Sequence, residues 1–232
     1  MTEELRVLKS SAAPLRDGNP EPRVPCVLVE DHSGSTEGEP INQLNAAVPK
    51  LGEYMLEDPQ AARRVELAVV TVGGNVRVAQ DFVPPAEFKP PVLTAGGATP
   101  LGEGILKAIE MVEQRRARYE ASDLDSRDPW IFVVSDGAPT DPPEVWERAV
   151  RRAREAEARE RGKRIVFFVV GVDGADMRKL AQISKRPPVK LRDLNFAGMF
   201  RWVSQSLTRA SQKEVGDAVT FTNPIAAGWA KE

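Results

Sequence analysis

The chain holds 232 residues, 41% hydrophobic and 28% charged, and its 32 basic against 34 acidic side chains leave a net charge of −2. That length admits one domain with a substantial core, and near-neutrality leaves no electrostatic footprint for nucleic acid or an anionic membrane. A single cysteine, Cys26, and a single histidine, His32, exclude an internal disulfide and a His/Cys zinc site.

Residues 1–22 are polar and carry Pro14, Pro20 and Pro22, so they read as a flexible arm. Met1–Arg23 lacks the basic head and apolar core of a signal peptide, and no apolar run reaches the ~20 residues of a membrane span, so the expectation is a cytoplasmic chain. Val24–Val29 is a near-continuous apolar run, the pattern of a strand covered on both faces, with Cys26 as a small buried hydrophobe within it. Ile41, Leu44, Ala47/Val48, Leu51 and Met55 then recur at helical spacing, and Asp58-Pro59 closes that helix.

Val65–Val72 reads as the second strand, Gly73-Gly74-Asn75 as a turn, and Val76–Phe82 as the returning strand of a hairpin, which predicts one antiparallel edge strand. The proline-rich segment Val83–Val92 leads to Gly96-Gly97, and Leu101–Tyr119 is the next helix, with Ile105, Ala108/Ile109 and Val112 inward. Trp130–Ser135 is an apolar strand after a polar loop, and Pro142/Pro143 open a helix running to Arg161. Its Glu147/Arg151, Arg151/Glu155 and Glu155/Arg159 pairs predict a solvated face laced by i,i+4 ion pairs, each worth about 0.3–0.5 kcal/mol. Ile165–Val170 is the most apolar strand. Met177–Ile183 (a short helix), Val189–Leu191 (an edge strand) and a last helix carrying Phe196, Met199/Phe200, Val203 and Leu207 complete the pattern.

This alternation predicts an α/β fold: a doubly wound, mostly parallel central sheet with one antiparallel edge strand and helices on both faces, in one domain over residues 23–207. Residues 208–232 lose the periodicity, since Pro224 and Gly228 interrupt the Phe221/Ile225/Trp229 spacing, and read as a flexible tail.

In such sheets ligands sit at the carboxyl ends of the strands, near the switch in strand order. Three oxygen-bearing segments end there: Asp31, Ser33 and Ser35 after the first strand, Thr99 before a helix, and Asp136 after Trp130–Ser135. Carboxylates and hydroxyls are hard ligands that suit Mg²⁺ or Ca²⁺ rather than zinc or copper.

These residues carry a resemblance. Asp31-His32-Ser33-Gly34-Ser35, Thr99 and Asp136-Gly137 resemble the metal-ion-dependent adhesion site of von Willebrand factor A domains, and Asp31, Ser33, Ser35, Thr99 and Asp136 fill its five positions. The resemblance spans residues 24–207. Gly38-Glu39-Pro40-Ile41, Gly97–Gly102, Asp136–Asp141 and Phe200–Ser204 are further similar to the bacterial tellurite-resistance TerY-like branch of stand-alone cytoplasmic A domains. It implies a bound Mg²⁺, with Mn²⁺ or Ca²⁺ as alternatives, and an open coordination position for a partner's Asp or Glu carboxylate. It also implies a place in a stress-response complex containing a kinase and phosphatase.

The sequence departs from the family pattern at Glu30, His32 and Thr36. Glu30 is either an outer acid of the site or a residue at the exposed strand end, with the second preferred. His32 should face away from Asp31, because side chains alternate along a strand. That argues against a catalytic base.

The preferred function is a metal-dependent protein-binding module, not an enzyme. The alternative is a Mg²⁺-dependent phosphotransfer or hydrolase enzyme, since Glu30/Asp31 and Lys190 resemble the acidic pair and lysine of response-regulator receivers. Against it, Val65–Val72 ends in Thr71-Val72-Gly73-Gly74 with no phosphoacceptor Asp, and Ser33 stands where an Asp-x-Asp phosphatase needs a second acid. A metal-free scaffold, in which serines and aspartates merely cap turns, ranks last.

Overall fold

The computed structural model describes residue 15 and residues 18–136, 139–214, 217 and 221–231. The flexible reading of residues 1–14, 16 and 17, and of 215–216, 218–220 and 232, lies outside the described residues.

Seven strands form one sheet: β1 (Val24–Asp31), β2 (Val65–Gly73), β3 (Asn75–Val83), β4 (Trp130–Ser135), β5 (Val166–Gly171), β6 (Val189–Leu191) and β7 (Ala230–Lys231). Their spatial order is β3-β2-β1-β4-β5-β6-β7. β2, β1, β4, β5 and β6 run parallel, whereas β3 and β7 pair antiparallel at the two edges.

Both faces of the sheet are covered, which is why its central strands are apolar along their whole length. On one face Cys26, Leu28, Leu67, Val69, Phe132 and Phe168 pack against α1 (Glu39–Leu56) and α6 (Phe196–Gln212). On the other, Val27, Val29, Val70, Ile131 and Phe167 meet α3 (Leu101–Glu120) and α4 (Pro143–Ala158). Each such side chain contributes about 1.5–3 kcal/mol by leaving water. Cys26 is fully buried, and burial pushes its thiol up to about 12.

Several local expectations need correcting. Asp58-Pro59 opens a helix rather than closing one: α1 stops at Leu56, and Asp58 Oδ1 accepts from Gln60 N and Ala61 N at 2.9 and 2.7 Å to cap α2 (Pro59–Arg64). The helix placed at Met177–Ile183 is a single turn, α5 (Met177–Leu180). The charged helix α4 ends at Ala158, and the ion pairs of Arg152 within it and Arg159 just beyond it run across to α3, reaching Glu113 at 2.9 and 2.7 Å. Long exposed side chains take whichever partner lies in reach, and the next helix offers one.

β6 is not an edge strand, because β7 pairs outside it through Leu191↔Ala230 and Lys190↔Lys231. The described part of the C-terminal segment is packed. Trp229 is 1% exposed against Trp202, Phe221 stacks edge-on to Phe168, and the Trp202 Nε1–H donates to Thr222 O at 2.9 Å. Regular secondary structure is not needed to bury an aromatic, so helical periodicity gives no sign of this strap. At the other terminus Asn19 donates to Arg63 O at 3.0 Å and Glu21 pairs with Arg64 at 2.6 Å, tying residues 19–22 to α2.

β3 is irregular. Its register against β2 shifts twice, between Leu67 and Val70, so the edge is bulged. No helix among the described residues is long and apolar enough to cross a membrane.

The chain leaves β1 toward β2 on one side and later reaches β4 on the other. The switch point therefore lies between β1 and β4, whose carboxyl ends carry Asp31 and Asp136.

Candidate metal centre

β1 delivers Asp31 into a tight turn that continues as a 3₁₀ turn over Gly34–Thr36. Asp31 Oδ1 accepts from Ser33 N at 2.9 Å, and Thr36 closes the turn by donating its hydroxyl to Ser33 O at 2.8 Å. The Ser33 and Ser35 hydroxyls lie 3.1 Å apart, and Ser35 donates to Asp136 Oδ1 at 3.0 Å across a sequence separation of 101 residues. Asp31, Ser33, Ser35 and Asp136 thus form one connected set of oxygens. Only Ser35 is exposed; Asp31, Ser33 and Asp136 are buried.

The backbone bonds of Thr99 go to Thr140 and Leu101 rather than to these four residues, and it is the Thr99 loop that is tied to their turn. Gly34 N donates to Gly97 O at 3.1 Å, binding the Thr99 loop to the serine turn. Thr99 and Thr140 clasp each other: Thr140 N donates to Thr99 O at 2.9 Å, and Thr99 N donates to the Thr140 hydroxyl at 3.0 Å. Thr99 is buried beside the start of α3.

Three supporting residues do not stand out in the sequence. Ser135 donates to Asp31 Oδ2 at 2.6 Å and fixes the oxygen that Ser33 does not hold. Thr140 orients Thr99, and Asp141 caps α3 by accepting from Gly102 N at 2.8 Å and Glu103 N at 2.9 Å. Each acts on a segment remote in sequence. The available signal is the run Pro139-Thr140-Asp141 beside the Asp136 motif, rich in residues that satisfy stray backbone N–H groups.

Glu30 is 1% exposed and not at an exposed strand end. It shares the face of Leu28, opposite to Asp31, and its Oε1 has no hydrogen-bond partner. Burial pushes its carboxyl up to about 8. His32 faces away from the oxygen set, as alternation requires, and its Nδ1 lies 2.8 Å from Thr94 O.

The donor set fits a hard cation. Burial, then the neighbouring Asp31 charge, raise the Asp136 carboxyl to about 6, so this pair lacks positive charge. Among the described residues no Lys or Arg forms an ion pair with Asp31 or Asp136, and no group of three His, Cys, Asp or Glu side chains could hold a metal alone. Two carboxylates with serine and threonine hydroxyls leave room for water in the coordination shell, the habit of Mg²⁺.

The profile of the von Willebrand factor type A domain matches residues 26–200. The chain belongs to that family. A search of curated proteins finds no match. Among solved structures, this A domain is similar to the vWF domain of the type V pili tip protein Mfa5 from Porphyromonas gingivalis, with a TM-score of 0.61 at 12% identity over 84% of this chain and 98% of that one. A von Willebrand factor type A protein from Catenulispora acidiphila matches with a TM-score of 0.58 at 16% identity, over 81% of this chain and 43% of that one. Proximal thread matrix protein 1 from the mussel byssus, solved with a zinc-occupied MIDAS motif, matches with a TM-score of 0.52 at 14% identity, over 81% of this chain and 48% of that one. The chain therefore spans less than half the length of the Catenulispora and mussel proteins, and at these identities the likeness establishes the fold.

Proposed function

We propose that this A domain is a metal-ion-dependent protein-binding module. Mg²⁺, with Mn²⁺ or Ca²⁺ as alternatives, is held by Asp31, Ser33, Ser35, Thr99 and Asp136. When bound, the ion supplies an electrophilic docking point for an Asp or Glu carboxylate of a protein partner. The observation that carries this reading is the connected set of Asp31, Ser33, Ser35 and Asp136 oxygens at the switch point of the sheet. The chain's residues bind and orient. Ser135 and the Ser33 amide fix Asp31, and Thr140 fixes Thr99.

A binding role rather than catalysis is supported by what the side chains already do. His32, the only imidazole, is turned to Thr94 O, and the two serine hydroxyls are hydrogen-bonded within the cluster rather than to a base. The TerY-like phrases support a place in a bacterial stress-response complex of tellurite-resistance type, cytoplasmic, with a kinase and phosphatase as companions.

Calorimetry with MgCl₂ and MnCl₂ tests the metal reading. The wild type should bind one ion and Asp31→Ala should not; equal binding by both refutes it. Affinity purification with and without EDTA tests the partner reading, and a partner set unmoved by chelation counts against it.

A further inference from the structure

The segment between β3 and α3 carries Thr99 to the site, and residues 88–98 contain no helix or strand of their own. What holds it is a row of hydrogen bonds from other elements. Asn45 of α1 pairs with both backbone groups of Leu93, at 2.8 Å each. Gly74 N of the β2–β3 turn donates to Ala98 O at 2.7 Å, and Gly34 N donates to Gly97 O at 3.1 Å. His32 supplies two more: its carbonyl accepts from Gly96 N at 2.9 Å, and its ring reaches Thr94 O at 2.8 Å. A carbonyl only accepts, so Nδ1 carries the hydrogen and donates, whether or not the ring is charged.

Shape confirms that the ring is seated. A Cβ on Gly73 would lie 2.5 Å from His32 Cε1, and one on Gly97, whose φ is +76°, would lie 2.4 Å from Gly74 Cα. The imidazole therefore lies flush on the backbone of the β2–β3 turn, and the Thr94–Ala98 stretch runs beside it. His32 N also donates to Val72 O at 2.7 Å, so the residue between Asp31 and Ser33 is bonded to β2 and to the Thr99 loop at once.

We propose that His32 is a positioning residue for the metal centre: its imidazole latches the loop that bears Thr99 onto the turn that bears Asp31, Ser33 and Ser35. Asp31, Ser33 and Ser35 share one turn and Asp136 is bonded to Ser35, but Thr99 comes from a loop that must be brought up and kept there. The latch rests on the reading of the five residues as ligands. Its physical content is one backbone acceptor: without the ring, Thr94 O loses its donor and the loop loses a tie beside Gly96.

The experiment compares His32→Ala with His32→Asn, whose Nδ2–H can take the place of Nδ1–H without the ring. MgCl₂ affinity is read by calorimetry, and amide exchange at Gly96 and Thr99 is read in EDTA. His32→Ala should weaken Mg²⁺ binding by roughly tenfold, the lower bound for losing a group bonded directly to a metal ligand, because the ring acts through the loop and not on Thr99 itself, and should speed exchange at both amides. His32→Asn should restore both. Gly73→Ala, which drives the ring off its seat while keeping His32, should reproduce the His32→Ala result and serves alone if that variant does not fold. Mg²⁺ affinity within twofold of wild type in the Ala variants, or an Asn variant as weak as Ala, overturns the latch. A wild type that binds no Mg²⁺ refutes the ligand reading instead, and exchange in EDTA then decides the latch by itself: unchanged protection overturns it.

Discussion

Replacing Glu30 by Gln should change how the stability of this protein depends on pH. The carboxyl is buried at 1% exposure beneath the α1/α6 face, its Oε1 has no partner, and burial raises it from 4.5 to about 8. A carboxyl raised in this way binds its proton more tightly folded than unfolded, so its contribution is intact below the unfolded value and is lost as pH rises toward the folded one. Each pH unit crossed between those two values removes about 1.4 kcal/mol, so the side chain should cost the metal-free fold roughly 3 kcal/mol more at pH 8 than at pH 5. Gln carries no such charge. Its amide adds an offset from an imperfectly paired donor, but that offset does not vary with pH. Urea unfolding of wild type and Glu30→Gln in EDTA across this range isolates the effect, because Asp136 titrates in both proteins and cancels in the difference. The gap should move in favour of Glu30→Gln by roughly 3 kcal/mol from pH 5 to pH 8. Parallel curves would show that Glu30 is solvated or paired in solution and refute the reasoning.

Trp229→Ala should lower stability by about 3–5 kcal/mol, seen as a drop in urea midpoint at unchanged slope, because it empties a buried site against Trp202. A shift below about 0.5 kcal/mol, typical of surface changes, would mean the C-terminal segment is free in solution. Mg²⁺ affinity should fall as pH drops through about 6, where the Asp136 carboxyl takes up a proton that competes with the ion. Calorimetry at pH 5 and pH 7.5 measures it, and equal affinities would remove Asp136 from the ligand set.

The central strands and the turn that holds Asp31, Ser33 and Ser35 together are readable in the sequence for one reason: a single local pattern decides each of them. Val24–Val29 and Ile165–Val170 are apolar on both faces because both faces are covered, and Asp31, Ser33 and Ser35 sit in one turn. Features that depend on a remote partner leave no such mark. Ser135 looks like any strand-end serine until its bond to Asp31 is seen, and Asp141 caps a helix whose first residue, Leu101, lies far upstream. Glu30 reads as exposed because it is a glutamate at the end of a strand, whereas here the sheet and the α1/α6 layer extend past it. β7 leaves no trace because two residues show no periodicity, and Trp229 supplies the burial that normally takes a longer strand.

The borders of the sheet carry a consequence of their own. An open strand edge is a template for unwanted pairing with another chain. One border ends in the two residues of β7, with Lys190 and Lys231 both near Asp173 at 3.6 and 3.2 Å; the other is the twice-bulged β3. Neither offers a long flat run of free amides and carbonyls. Self-association through the sides of the sheet is thereby discouraged.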